Sequence, residues 1–264
     1  MSGLRLYALV YLAFLYAPIA LLPIFAFNDG TVIAFPLDGF TLRWFRELPQ
    51  TPALVASVRT SLWIAGSTAL LSTVLGLCAA RAGTMARFGG RDAMMGLIML
   101  PLVLPEIIVA VALLVVLLAL GLPLTGWTVI AGHTLICLPF STAILGSAFR
   151  ALDPALEEAG IDLGLGRAAV FLRVTLPLLM PGIIASLLIT FTISLDEFII
   201  AFFLTGTEPT LPVYLWGQLR FPQKIPVVMA LGTILLVISV VLITLAEIAR
   251  RRAAARATGI DSGA

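Results

Sequence analysis

Charge is scarce in this chain. Only 11% of its 264 residues are Asp, Glu, Lys or Arg, against about 25% in soluble domains, and the mean hydropathy is +1.12. That composition excludes an ordinary water-soluble domain. The 16 basic residues exceed the 14 acidic ones by two, but they gather at the ends of apolar runs and form no patch that would hold nucleic acid. Cysteine is limited to Cys78 and Cys137, both inside apolar runs. Their placement offers neither a disulfide framework nor a metal-ligand spacing, and each reads as a small buried hydrophobe. The single histidine, His133, lies on an apolar run and reads as an interhelical hydrogen bonder, outside any functional site. No Gly-x4-Gly-Lys-Ser/Thr phosphate loop, zinc-protease helix or Gly-x-Ser-x-Gly elbow occurs, so the chain is not expected to hydrolyse ATP or to act as an enzyme.

What remains is long and apolar. A spanning helix needs about 20 apolar residues, and six segments qualify, at roughly 6–27, 61–82, 94–120, 127–149, 178–204 and 226–248. The first has too long an apolar core for a cleaved signal peptide and is expected to stay as a helix. Six spans predict an all-α, multi-pass membrane protein read as a single transmembrane domain over 1–264. With the N-terminus inside, eleven of the basic residues fall on the inner side and five on the outer. The positive-inside bias therefore puts both termini in the cytoplasm. The arginines at 250–252 are expected to stop the sixth span, and the tail after them reads as disordered.

Charges concentrate in one stretch, 151–182, between the fourth and fifth runs. Asp153 followed by Pro154 and two glutamates is an N-cap, a proline at the first helical position and acid at the positive end of a helix dipole. Gly160, Gly164 and Gly166 then punctuate the segment, and Pro177 and Pro181 open the next run. A solvated linker helix would explain the charges but not the glycine spacing or the closing Leu-Pro. Glu158-Ala159-Gly160, then Gly164, then Val174-x-Leu176-Pro177 resembles the cytoplasmic motif of ABC importer permeases. There Glu-Ala-Ala, three residues, Gly, nine residues and Ile-x-Leu-Pro recur. Two departures stand out, Gly160 for Ala and Val174 for Ile, and both preserve size class or shape.

The resemblance implies a type I importer permease (MetI-like) fold, in which the short helix docks into a groove on a partner ATPase. Glu158, Ala159, Gly160, Asp162, Gly164, Leu176 and Pro177 form the implied coupling set. It further implies a second permease subunit, two ATPase subunits holding ATP and Mg, a periplasmic binding protein, and residence in the bacterial inner membrane. This chain itself is expected to bind no cofactor, metal or nucleic acid.

Polar residues inside the apolar runs point to a path for cargo. In the third run Pro101 and Pro105 remove two backbone donors, and Glu106 follows directly. A carboxylate in that setting either pairs with a neighbouring helix or lines a wet passage. In the fifth, Ser186, Thr190, Ser194 and Glu197 recur on one helix face, with Asp196 about 100° away. No lysine or arginine inside any run neutralises these acids, which calls for water, protonation or a cationic visitor; the alternative is a network among spans. In the first outer loop, Trp44 beside Arg43 and Arg46 reads either as a surface anchor or as an aromatic wall that attracts ammonium groups.

Ser194-Leu195-Asp196-Glu197-Phe198, then Phe202-Phe203-Leu204-Thr205-Gly206 and Leu211-Pro212, is similar to the spermidine/putrescine branch of these permeases, as is Pro105-Glu106. The implied cargo is a polyamine, passing Trp44, Glu106, Ser194, Asp196 and Glu197; another small solute is the alternative. Two rivals from other classes fare worse. Adjacent acids on a helix diverge too far to share a proton as a catalytic dyad, and an ion-coupled carrier would show duplicated halves that this chain lacks.

Overall fold

The computed structural model describes residues 2–85 and 89–260. Arg87, counted on the inner side above, and the last four tail residues lie outside the described residues. Helix dominates because a bilayer core offers no water to backbone groups, so each apolar run has to close its own hydrogen bonds. Five described helices are long and apolar enough to cross a membrane, and a bent pair makes a sixth span if taken together. The chain divides into two compact units, one from residues up to Val55 together with those from Leu215 onward, the other Ala56–Tyr214.

The first unit holds α1 (Ser2–Ala26), α2 (Arg43–Glu47) and α12 (Ile225–Ile260). Helix α1 packs along α12, where Leu22 covers Gly232. Asn28 organises the turn after α1. Its side-chain oxygen accepts from Asp38 N at 2.9 Å and its carbonyl accepts the Trp44 indole N–H at 2.7 Å. The Phe27 ring meets Phe40 and Phe45 at 5.7 and 4.9 Å. Lys224, just before α12, pairs with Glu47 at 3.6 Å. Helix α12 does not stop at the arginines of 250–252: it continues to Ile260. Alanine and arginine are strong helix formers, so helical propensity carries the helix past the end of the apolar run, where the sequence reading expected disorder.

The second unit is built from α3 (Pro52–Met85, from Ala56), α4 (Arg91–Met99), α5 (Glu106–Ala119), α6 (Gly126–Arg150), α7 (Pro154–Asp162), α8 (Arg167–Val170), α9 (Leu176–Asp196) and α10 (Ile199–Leu204). A π-helical turn, Phe171–Thr175, joins α8 to α9. Helix α6 is central: α9 and α10 both pack on it. Its apolar residues Val129, Ile130 and Ile136 share a core with Val109 and Ala110 of α5 and Ile200, Ala201 and Leu204 of α10. Leu145 and Phe149, at its other end, pack with Ala80 and Leu179.

Two of the six expected runs are interrupted. The third bends by 105° between Arg91–Leu102 and Glu106–Ala119. Pro105 adopts φ −58°, ψ 128° and ends one helix while its carbonyl accepts the first amides of the next, Ile108 and Val109. The fifth breaks at Glu197, whose ψ of 121° is extended, and resumes as α10.

Candidate functional site

The polar stripe of the fifth run exists, and it faces protein. Ser186, Thr190, Ser194 and Glu197 are all buried. Ser186 Oγ lies 3.0 Å from Thr73 Oγ1 of α3 and 2.8 Å from Ser141 Oγ of α6. Thr190 returns its hydroxyl to the Ser186 carbonyl at 2.7 Å, and its own carbonyl accepts from Cys137 Sγ at 3.7 Å. Hydroxyl pairs of this kind hold helices together in lipid, at about 0.6 kcal/mol each. The stripe is thus a seam joining α3, α6 and α9.

At its end sits a buried trio. His133 Nδ1 lies 2.7 Å from Ser194 Oγ, and His133 Nε2 lies 3.0 Å from Glu197 Oε2. The Nε2 contact is an electrostatic pair rather than a linear hydrogen bond. A serine hydroxyl can donate or accept, so it suits either state of the ring. Glu197 also caps α10: Oε1 accepts from Ile200 N at 3.0 Å and Oε2 from Ala201 N at 3.1 Å. Two carboxylates without partners were expected here; Glu197 has three. The histidine left out of the site supplies one of them. Local sequence offers no signal for this, because His133 and Glu197 are 64 positions apart and meet only through α6–α9 packing.

The other two acids remain open. Asp196 ends α9 and is exposed, while Glu106 begins α5 and is exposed. Among the described residues no lysine or arginine forms an ion pair with either. Glu106 lines a cavity of about 490 Å³ with Pro101, Pro105, Phe140 and Ile199. Asp196 adds its charge where the negative end of the α9 dipole already lies. Trp44 belongs to the first unit. It is only 5% exposed, and Arg43 stands over its ring at 4.1 Å, so one face is already occupied by a cation.

The punctuated stretch forms a helix as its sequence dictates. Asp153 caps α7 by accepting from Ala155 N at 3.0 Å, and Pro154 occupies its first position. Gly164 ends it with φ +84°, a left-handed value that costs an L side chain about 1 kcal/mol. Gly160 is buried, and a Cβ there would stand 3.1 Å from Val170 Cγ2. Glu158, Ala159, Asp162 and Gly164 are exposed. Leu176 and Pro177 open α9.

Residues 72–257 match the family described as binding-protein-dependent transport system inner membrane component. The chain belongs to that family. Among curated relatives it is 35% identical to the putrescine transport system permease protein PotI of Escherichia coli K12, over 84% of this chain and 82% of that protein. It is 31% identical to the spermidine/putrescine transport system permease protein PotC of the same strain, over 90% of each. Among solved structures, a bacterial ABC transporter involved in import of the acidic polysaccharide alginate has a chain that superposes with TM-score 0.73 at 21% identity, covering 95% of this chain and 94% of that one. The last likeness is one of fold. This binding-protein-dependent permease is accordingly an all-α, multi-pass membrane protein, and its expected family and fold class hold. Glu158, Ala159, Gly160 and Asp162 lie on α7, Gly164 just past its end, and Leu176 and Pro177 at the start of α9, while the residues expected on a cargo path sort into buried (Ser194, Glu197, Trp44) and open (Glu106, Asp196).

Proposed function

We propose that the chain is one permease subunit of an ATP-driven importer for linear polyamines such as putrescine and spermidine. The observation that carries this reading is the pair of exposed carboxylates, Glu106 and Asp196, at the breaks in two otherwise apolar spans, without a basic partner among the described residues. An intramembrane acid without a partner costs roughly 2.5–3.5 kcal/mol near the bilayer centre, and a passing ammonium group offsets that cost. A diamine carries its charges on a methylene chain, so it suits spaced acids between apolar walls. Ser194 and Glu197 support the passage from behind by fixing the end of α9 and the start of α10. Trp44 shapes the outer loop that receives cargo from a periplasmic binding protein.

In this reading α7 lies in the cytoplasm, as do both termini, and presents Glu158, Ala159, Asp162 and Gly164 to one of two ATPase subunits. Those subunits hold and hydrolyse ATP with Mg; a second permease subunit completes the path in the bacterial inner membrane. The permease then works by alternating access, its two conformations biased by the state of the ATPase pair.

Two tests follow. Gly164→Trp faces open space, so it inserts without a clash but strains the left-handed turn and crowds the docking side. The expected result is normal membrane level with uptake reduced at least tenfold; uptake at wild-type rate would remove α7 from the coupling path. The purified chain alone, in proteoliposomes, should show neither ATP hydrolysis nor ATP-driven uptake. Proton-driven uptake by the isolated chain would instead make it a carrier.

A further inference from the structure

Helix α7 has two sides, and its inward side carries an acid that the family motif does not use. Glu157 is one position before the motif glutamate, about 100° round the helix, and is half-buried while Glu158 is exposed. Its Oε1 accepts a hydrogen bond from the Thr175 hydroxyl and lies 3.7 Å from Arg81 Nη1. The Arg81 guanidinium in turn covers the Phe171 ring at 4.4 Å from its centre. Phe171 and Thr175 bracket the π-helical turn that leads into α9, and Thr175 is fully buried. Arg81 comes from the last turns of α3. Four side chains therefore tie α7 to two spans at once.

We infer that Arg81, Glu157, Phe171 and Thr175 form a clasp that transmits displacement of α7 to α3 and α9, with Arg81 and Glu157 as positioning residues. The inference rests on the reading that a partner ATPase pushes on α7. Without the clasp, α7 would be held by its linkers and by apolar surfaces, Gly160 against Val170 and Pro154 and Leu156 beside Val174 and Leu178. A glycine-containing link with a left-handed turn at Gly164 is a pivot, and an apolar contact lets surfaces slide because it has no direction. A helix held only in that way would rotate under a push and move nothing. The guanidinium supplies direction: it is planar, stays charged, and can stack on a ring while facing a carboxylate.

The test uses the whole transporter, with partner permease, ATPase subunits and binding protein, in proteoliposomes. ATP hydrolysis stimulated by loaded binding protein and uptake of radiolabelled putrescine are measured together. Arg81→Ala and Glu157→Ala are expected to keep stimulated hydrolysis within about twofold of wild type while uptake per ATP falls at least tenfold. A residue needed only for folding would lower both in parallel. The charge swap, Arg81→Glu with Glu157→Arg, should raise uptake per ATP at least about threefold above Arg81→Glu alone, which stays about tenfold down, but not to wild type, because no guanidinium then stands over Phe171. The clasp is overturned by unchanged uptake per ATP in both alanine variants, by a parallel fall in both readouts, or by a swap no better than Arg81→Glu alone. Glu158→Lys separates the two levels of the argument. Loss of stimulated hydrolysis in Glu158→Lys with normal uptake per ATP in Arg81→Ala keeps the coupling helix and discards the clasp. Wild-type behaviour of Glu158→Lys discards both.

Discussion

Asp196→Asn is expected to lower putrescine uptake by roughly five- to a hundredfold at unchanged membrane level. The amide keeps the shape of the side chain and removes the charge, so the loss isolates electrostatics from packing. Its size follows from the setting: a charge–cation contact where water is scarce is worth about 1–3 kcal/mol, and each 1.4 kcal/mol is a factor of ten. Asp196 is exposed and outside every ion pair among the described residues, so its amide leaves no buried partner stranded and the fold should hold. Glu106→Gln is expected to behave in the same way. The measurement is uptake of radiolabelled putrescine and spermidine in cells carrying the whole transporter, with the level of each variant determined by immunoblot. Wild-type uptake in both amide variants, or transport of an anion or a neutral sugar by the unaltered system, would end the polyamine reading and leave family membership untouched.

His133→Leu is the variant expected to damage the fold most. Leucine fills the volume but leaves the Glu197 carboxylate buried without the imidazole that lies 3.0 Å away, and leaves Ser194 Oγ without its partner. Taking one of three partners from a buried carboxylate, together with the partner of Ser194, costs about 2–4 kcal/mol, enough to reduce the yield of folded protein and its melting temperature in detergent. Glu197→Gln removes the charge and keeps one acceptor for the α10 amides, so it costs less, about 1–2 kcal/mol. The double variant should recover part of the loss seen in His133→Leu, because the stranded charge is gone. A melting temperature for His133→Leu equal to wild type, or strictly additive effects in the double variant, would show that the pair contributes nothing.

These two experiments separate residues that the sequence places side by side. Asp196 and Glu197 are neighbours of like charge, and composition alone treats them as equivalent. Their difference arises where the helix ends. Nothing in Ser194-Leu195-Asp196-Glu197-Phe198-Ile199 resembles a breaker, since no proline or glycine interrupts it. The break becomes favourable because Glu197 can cap α10 and meet His133 at once, and the second condition is a tertiary contact. The bend at Pro105 was half legible: two prolines announce a disturbed helix, but the 105° angle depends on what packs around it. Helix α7 was the most legible element, since Asp153, Pro154 and Gly164 set its ends by local stereochemistry. The seam residues were legible as a stripe by their spacing, though not by their partners, because Thr73 and Ser141 come from helices 113 and 45 positions away.

The close approach of Gly160 to Val170 bears on how portable the α7 segment is between relatives. The related motif has alanine where this chain has glycine, and a methyl group there would meet Val170 Cγ2 at 3.1 Å, so valine must give way by a few tenths of an ångström. The two positions are therefore coupled by packing: residue 160 sets how near α7 lies to α8, and residue 170 sets how much room is left. A chimera that imports the motif helix alone inherits a spacing made for a different neighbour. One that carries position 170 along keeps helix and seat matched.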